Sequence, residues 1–339
     1  MKKFLILASL FLSFSMFSQT LSGKVLDEKN LPVAGANIYF DGTTIATISD
    51  ENGNFKLNYS SKTNSLLAIS FIGYQTQYIQ NIDVSKELKI VLLESNNTLN
   101  EVIVKKDRFS RKQKLQLFKE QFLGQTSNAK LTRIENEDDL YFDYDEKAMI
   151  LKAYSENPLT IINDALGYKI SYELVDFEAN FFRATMKSTE VNRSFYAGLS
   201  RFEEIKSDAK KVKKREKSFK GSQIHFFRNL VNNVWNKDNF LLFKGSFQDN
   251  PSDYFQILDE GDYKKVMITK QTNGLASKNF VAEFNLLFDK KQQSRIVFET
   301  ETFYVDKFGN NSNIENIIFS GYLSSLKVGD MLPLNYGIE

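Results

Sequence analysis

The chain has 339 residues, with 44 Lys and Arg against 42 Asp and Glu, a formal net charge of +2. So even a balance supplies no global field for nucleic acid. The absence of any Cys excludes thiol nucleophiles, thiolate zinc sites and CxxC redox pairs, and a single histidine, His225, excludes a two-His zinc site within one chain.

Lys2 and Lys3 open the chain, and Phe4 to Phe17 is apolar apart from serines. That run is too short to span a bilayer comfortably. Small Ser18 then precedes Gln19. The pattern predicts a signal peptide over residues 1–18; an N-terminal anchor helix is the alternative. No Cys follows for lipid attachment, and no later stretch approaches the roughly 18 apolar residues of a membrane helix. The expectation is an exported protein, periplasmic or outer-membrane-associated, with no transmembrane helix after cleavage.

Residues 20–95 read as short strands. Ala36, Ile38 and Phe40 share a face, as do Phe55, Leu57 and Tyr59; Leu67, Ile69 and Phe71; and Leu88, Ile90 and Leu92. Alternation of this kind marks strands with one buried face. The breaks carry turn chemistry: Asp41-Gly42-Thr43 and Asp50-Glu51-Asn52-Gly53-Asn54. Gly42 and Gly53 are expected at positive φ. Asp50 and its neighbours lack the further acidic ligands of a calcium loop, so a tight turn is expected there.

Gly23-x-Val25-x-Asp27, Pro32-x-x-Gly35-Ala36, Ser49-Asp50 before Gly53-x-Phe55, and Ile72-Gly73-Tyr74 follow one another in a definite order. In these motifs the segment resembles the carboxypeptidase regulatory-like domain found in exported proteins of the Bacteroidetes. The resemblance implies a seven-stranded, transthyretin-like β-sandwich. It does not imply a peptidase: the zinc enzyme's His-x-x-Glu pair is missing, since His225 is followed by Phe226, Phe227 and Arg228.

Residues 96–107 read as a linker followed by a strand-like run, Leu99 to Val104. That run resembles the segment following the same sandwich in TonB-dependent outer-membrane receptors. The residues beyond it are too few for the large barrel of such a receptor.

Residues 108–339 are expected to form a larger α+β domain of unknown function. A helix is expected over 108–123, with Phe109, Leu115, Phe118 and Phe122 near one face and Gly124 as its stop. Leu140 to Ser155 alternates as a hairpin about Asp145-Glu146-Lys147. Asn157-Pro158 and Gly167 suggest a short helix over 158–166. Tyr168, Ile170, Tyr172 and Leu174 alternate as a strand. Ser222 to Trp235 reads as a second helix, and 238–325 returns to strand-like runs. Phe122-Leu123-Gly124, Asn163-x-x-Leu166-Gly167-Tyr168 and Gly221-Ser222-Gln223-x-His225-Phe226 resemble a region of flavobacterial proteins with the same front domain, for which the resemblance implies no activity.

His225 is the one candidate for acid–base work near neutral pH, but it lies among Ile224, Phe227, Val231 and Val234 at helical spacing, which favours a structural role. Glu135, Glu137, Asp138, Asp139, Asp143, Asp145 and Glu146 could hold a hard cation or form a solvated hairpin edge; metal ligands are not expected. No nucleophile elbow, Walker loop or dinucleotide fingerprint occurs, so no catalytic residue and no cofactor is expected. Between Lys206 and Lys220, eight cations meet only Asp208 and Glu216. Lys210, Lys211, Lys213, Lys214, Arg215 and Lys217 are the candidate anion-binding residues, suited to an anionic membrane surface.

These readings point to a mainly β, exported, non-catalytic binding or scaffold protein of the periplasm or outer membrane. Its expected partner is a cell-envelope protein or glycan, and not nucleic acid. The alternative is a hydrolase acting on glycan or peptide through carboxylates of the second region, without metal or triad.

Overall fold

A computed structural model describes residues 19–59, 65–80, 82, 86–95, 108–271 and 280–338. The expected signal peptide (1–18) and the linker with Leu99 to Val104 lie outside the described residues. The chain divides into two compact units, one within residues 1–40 and 45–96, the other within 41–44 and 97–338. The fold is mainly β in both.

The first unit is a seven-stranded sandwich. Its strands are β1 (Gln19–Asp27), β2 (Asn37–Phe40), β3 (Ala46–Ile48), β4 (Asn54–Tyr59), β5 (Leu67–Ser70), β6 (Gln77–Ile79) and β7 (Leu88–Leu92). One sheet runs β4-β1-β7, with β1 and β7 parallel; the other runs β3-β2-β5-β6. Leu21, Val25, Ala36, Ile38, Phe40, Phe55, Leu57, Ile69 and Leu92 meet in its core, so the alternating residues face inward as expected. The Asp50 loop is a turn: Asp50 Oδ1 accepts from the amides of Asn52 (2.9 Å) and Asn54 (2.8 Å), and Gly53 has φ 77°.

The second unit begins with helix α1 (Arg111–Phe122), capped by Ser110 in a reciprocal box with Gln113. Its buried face is Lys114, Leu117, Phe118 and Phe122. Leu115 packs at the margin, one position off the expected stripe. The helix covers a sheet of β8 (Thr132–Ile134), β9 (Leu140–Asp145), β10 (Ile150–Ser155), β11 (Leu159–Asn163), β12 (Tyr168–Phe181) and β13 (Val191–Glu204), in the order β8-β11-β12-β10-β9 with β13 against β12.

The helix expected over 158–166 is instead strand β11. Thr160, Ile161 and Ile162 are β-branched, which favours a pleated, half-buried surface, and β11 pairs on both sides, with β12 and β8. Pro158 stands just before the first strand residue, where it costs no ladder bond. Gly167, at φ 75°, closes the turn from β11 to β12 through its amide on Asn163 O (2.8 Å).

Helices α2 (Ala209–Phe219) and α3 (Gln223–Val231) follow. The expected helix to Trp235 stops at Val231, because Asn233 turns into the left-handed region at φ 53°. The inward residues of α3 are His225, Phe226, Phe227, Asn229 and Leu230, while Ile224 and Val231 are only partly buried.

The rest is strand: β14 (Phe240–Lys244), β15 (Phe247–Gln248), β16 (Phe255–Glu260), β17 (Tyr263–Ile268), β18 (Ala282–Phe288), β19 (Gln292–Phe298), β20 (Thr302–Asp306) and β21 (Ile317–Gly321), before the short helix α4 (Tyr322–Ser325). They form the sheets β15-β14-β18-β19-β21 and β16-β17-β20. Helix α3 packs Phe226, Phe227 and Leu230 into the core with Phe240, Phe284, Phe298 and Phe303. Among the described residues no helix is long and apolar enough to cross a membrane.

Candidate functional site

The basic segment divides along the axis of α2. Advancing about 100° per residue, Lys210, Lys213 and Lys217 fall within about 60° of one another, and all three are exposed. Lys206 and Lys220, beyond the two helix ends, are exposed as well. Arg215 lies on the opposite side of the helix, at 4% exposure. Its guanidinium donates to Leu166 O (2.7 Å) and Lys206 O (3.0 Å), pairs with Glu204 and stacks 4.1 Å over the Tyr168 ring. Lys211 also turns back, its Nζ donating to Asp164 O at 2.5 Å, and Lys214 is half-buried. Asp208 caps the helix at Lys211 N, and that hydrogen bond holds its carboxyl below the usual range.

His225 is buried on α3. Its Nδ1 accepts from the Gly221 amide (3.0 Å), so the neutral ring carries its proton on Nε2, which donates to Asn239 Oδ1 (3.1 Å). Burial pushes its pKa down to about 4, against the opposing pull of Asn239. The ring is thus neutral and hydrogen-bonded at both nitrogens. One turn on, Arg228 donates to Phe308 O (2.9 Å), Leu334 O (2.7 Å) and Tyr336 O (2.9 Å), tying the C-terminal segment to α3. Burial lowers its pKa to about 10.

The acidic residues disperse. Glu137 pairs with Lys119, Asp139 accepts from Asn136 and Asn157, and Asp145 Oδ1 closes the hairpin turn through the amides of Lys147 and Ala148. Asp143 and Asp145 share the exposed face of β9. Among the described residues no acidic or histidine cluster could hold a metal ion.

Sequence reasoning did not find the cavity of the second unit. It holds about 280 Å3. Its polar lining includes Asp41, Tyr196, Ser200, Ser218, Lys327 and Asp330; its apolar lining includes Phe202, Phe227, Leu332 and Leu334. Asp330 accepts from Thr126 Oγ1 (2.7 Å) and Asn128 Nδ2 (2.9 Å), and burial still raises its pKa. Asp41 accepts from the Ser200 amide (2.6 Å), and burial pushes its pKa up to about 6. Lys327 donates to Ser194 Oγ (3.2 Å) and lies 5.6 Å over the Tyr196 ring; burial lowers its pKa. No sequence spacing links the full lining, which comes from five separate stretches of chain, Gly309 to Ile314 being the fifth.

Residues 21–104 match the family model of the CarboxypepD_reg-like domain. The front of this chain is such a domain. A stretch of 102 residues is 39% identical to the TonB-dependent receptor SusC of Bacteroides thetaiotaomicron, covering 30% of this chain and 10% of that receptor. The chain thus spans about a tenth of the length of the curated relative it matches. Among solved structures, a chain of a type II cohesin–X–dockerin complex from Acetivibrio cellulolyticus aligns with a TM-score of 0.21 and 24% identity, over 22% of this chain and 58% of that one.

Proposed function

We propose that this chain is an exported, non-catalytic binding or scaffold protein of the cell envelope. Its CarboxypepD_reg-like sandwich serves as a docking or stabilising unit for an envelope protein or glycan, and the lysine stripe of α2 meets an anionic membrane surface. The observation that carries the reading is the front domain, shared at 39% identity with a TonB-dependent receptor. The second unit supports it: the groups best suited to chemistry, His225, Arg215, Arg228 and Asp330, are all bonded to neighbouring protein groups.

A hydrolase has one observation in its favour, two carboxylates with raised pKa values lining one cavity, Asp41 and Asp330. Both already accept from protein donors, which favours the binding reading.

Fractionation of cells carrying the tagged native protein tests the proposal. The expected outcome is recovery with the cell envelope, with an N-terminus near Gln19 by Edman sequencing. Recovery from the cytoplasm with Met1 retained would contradict it.

A further inference from the structure

The cavity of the second unit sets an ammonium group against apolar walls. Lys327 lines it between α4 and the tight turn Val328–Asp330, and its stem packs on Gly124. Among the described residues no carboxylate comes within 4 Å of its Nζ; its polar partner is the Ser194 hydroxyl. A cation taken out of water without a counter-ion is costly, and an anion in the cavity would offset that cost. The same wall offers hydroxyl donors. Ser218 Oγ accepts from Asn128 Nδ2 (2.9 Å), and Ser222 Oγ accepts from the His225 amide (3.2 Å). Each hydroxyl keeps its own proton to donate. Ser222 also caps α3, whose positive end therefore borders the cavity.

We propose that this cavity binds a small organic monocarboxylate, its carboxylate on Lys327 and its apolar body against the wall that includes Phe227 and Leu332. Three observations choose that class. Asp330, held by Thr126 and Asn128, and Asp41, held by the Ser200 amide, also line the cavity, so one added negative charge on Lys327 is tolerated better than the two of a phosphate dianion. Phe202, Phe227, Leu332 and Leu334 suit a hydrocarbon body. The volume, about 280 Å3, is at the low end for ligand sites, enough for roughly ten heavy atoms at about 30 Å3 each. The lowered pKa of Lys327 fits a cation lacking its counter-ion. The site goes beyond the envelope role and stands or falls independently of it.

Hexanoate, hexanol and inorganic phosphate are the probes, titrated into the full mature chain by calorimetry. Hexanoate is expected to saturate one site, hexanol to bind at least tenfold more weakly, and Lys327→Met to weaken hexanoate at least tenfold. A second readout does not depend on the variant's folding. Hexanoate should slow acylation of Lys327 by an amine-reactive ester, read by peptide mass spectrometry, and leave exposed Lys213 unaffected. No saturable hexanoate binding, equal binding of hexanol, or unchanged Lys327 labelling would overturn the proposal. Protection by phosphate equal to that by hexanoate would overturn the choice of ligand class.

Discussion

Arg215 and Lys213 lie two residues apart in one basic run, yet the structure gives them opposite roles. Replacing Arg215 by Met keeps most of the stem and removes the guanidinium. Leu166 O and Lys206 O lose their charged donor. A buried acceptor left unpaired costs about 1–3 kcal/mol; Leu166 O is buried and Lys206 O only partly so, and together they cost about 3 kcal/mol. Loss of the guanidinium over Tyr168 adds about 1 kcal/mol. The Glu204 pair adds little, because that carboxylate is 45% exposed. The expected destabilisation is about 4 kcal/mol. Lys213→Met, at an exposed position, should stay within about 0.5 kcal/mol. The single Trp, Trp235, stacks with Phe255 in the second unit, so its fluorescence in urea reports that unit. A drop of less than about 1 kcal/mol for Arg215→Met, or equal drops for both variants, would refute the division of the run into a structural and a surface face.

The neutral His225 makes the second unit sensitive to acid. Below pH 6.5 the unfolded chain takes up a proton that the folded ring refuses until about pH 4, so this residue's contribution to stability falls as pH falls through that window. At full extent it amounts to about 3 kcal/mol. Asp41 and Asp306, each raised to about 6 by burial, work in the opposite direction. They are common to both proteins when His225→Gln is compared with the parent. The variant should therefore lose less stability between pH 7 and pH 4.5, by Trp235 fluorescence melts; parallel pH profiles would contradict the assignment. In the sandwich, Phe55→Asp puts a charge at a position 3% exposed and should cost several kcal/mol. Dispersed amide signals from a fragment of residues 20–95, lost on this substitution, would bear out the core.

The sandwich was legible in the sequence because its signals are local. Period-two alternation fixed the inward faces, and Asp-Gly turn chemistry placed the breaks. The first helix was legible through its apolar stripe and Gly124, but not its start, which the Ser110 cap sets inside the expected 108–123. At 158–166 the local signals conflicted. Pro158 and Gly167 resemble helix ends, but Thr160, Ile161 and Ile162 had two strands waiting on either side. Pairing partners distant in sequence decided the outcome, as they do for most strands. The basic run was visible as composition, while the inward turn of Arg215 was not. Helical phase did contain that information: Arg215 is about 180° from the mean of Lys210, Lys213 and Lys217. The cavity was beyond reach, since Asp41, Tyr196, Ser218, Lys327 and Asp330 meet only through the fold.

The surface role of α2 is tested most directly by co-sedimentation of the mature chain with phosphatidylglycerol vesicles. Each Lys near such a surface contributes roughly 1 kcal/mol, so Lys210→Gln, Lys213→Gln and Lys217→Gln together should weaken binding by roughly 100-fold. The Debye length shrinks from about 10 Å at 0.1 M salt to about 3 Å at 1 M. Binding at low salt that fades at high salt and in the triple variant, with Trp235 unfolding unchanged, is the predicted result. Absence of binding at low salt, or binding indifferent to those three substitutions, would contradict it.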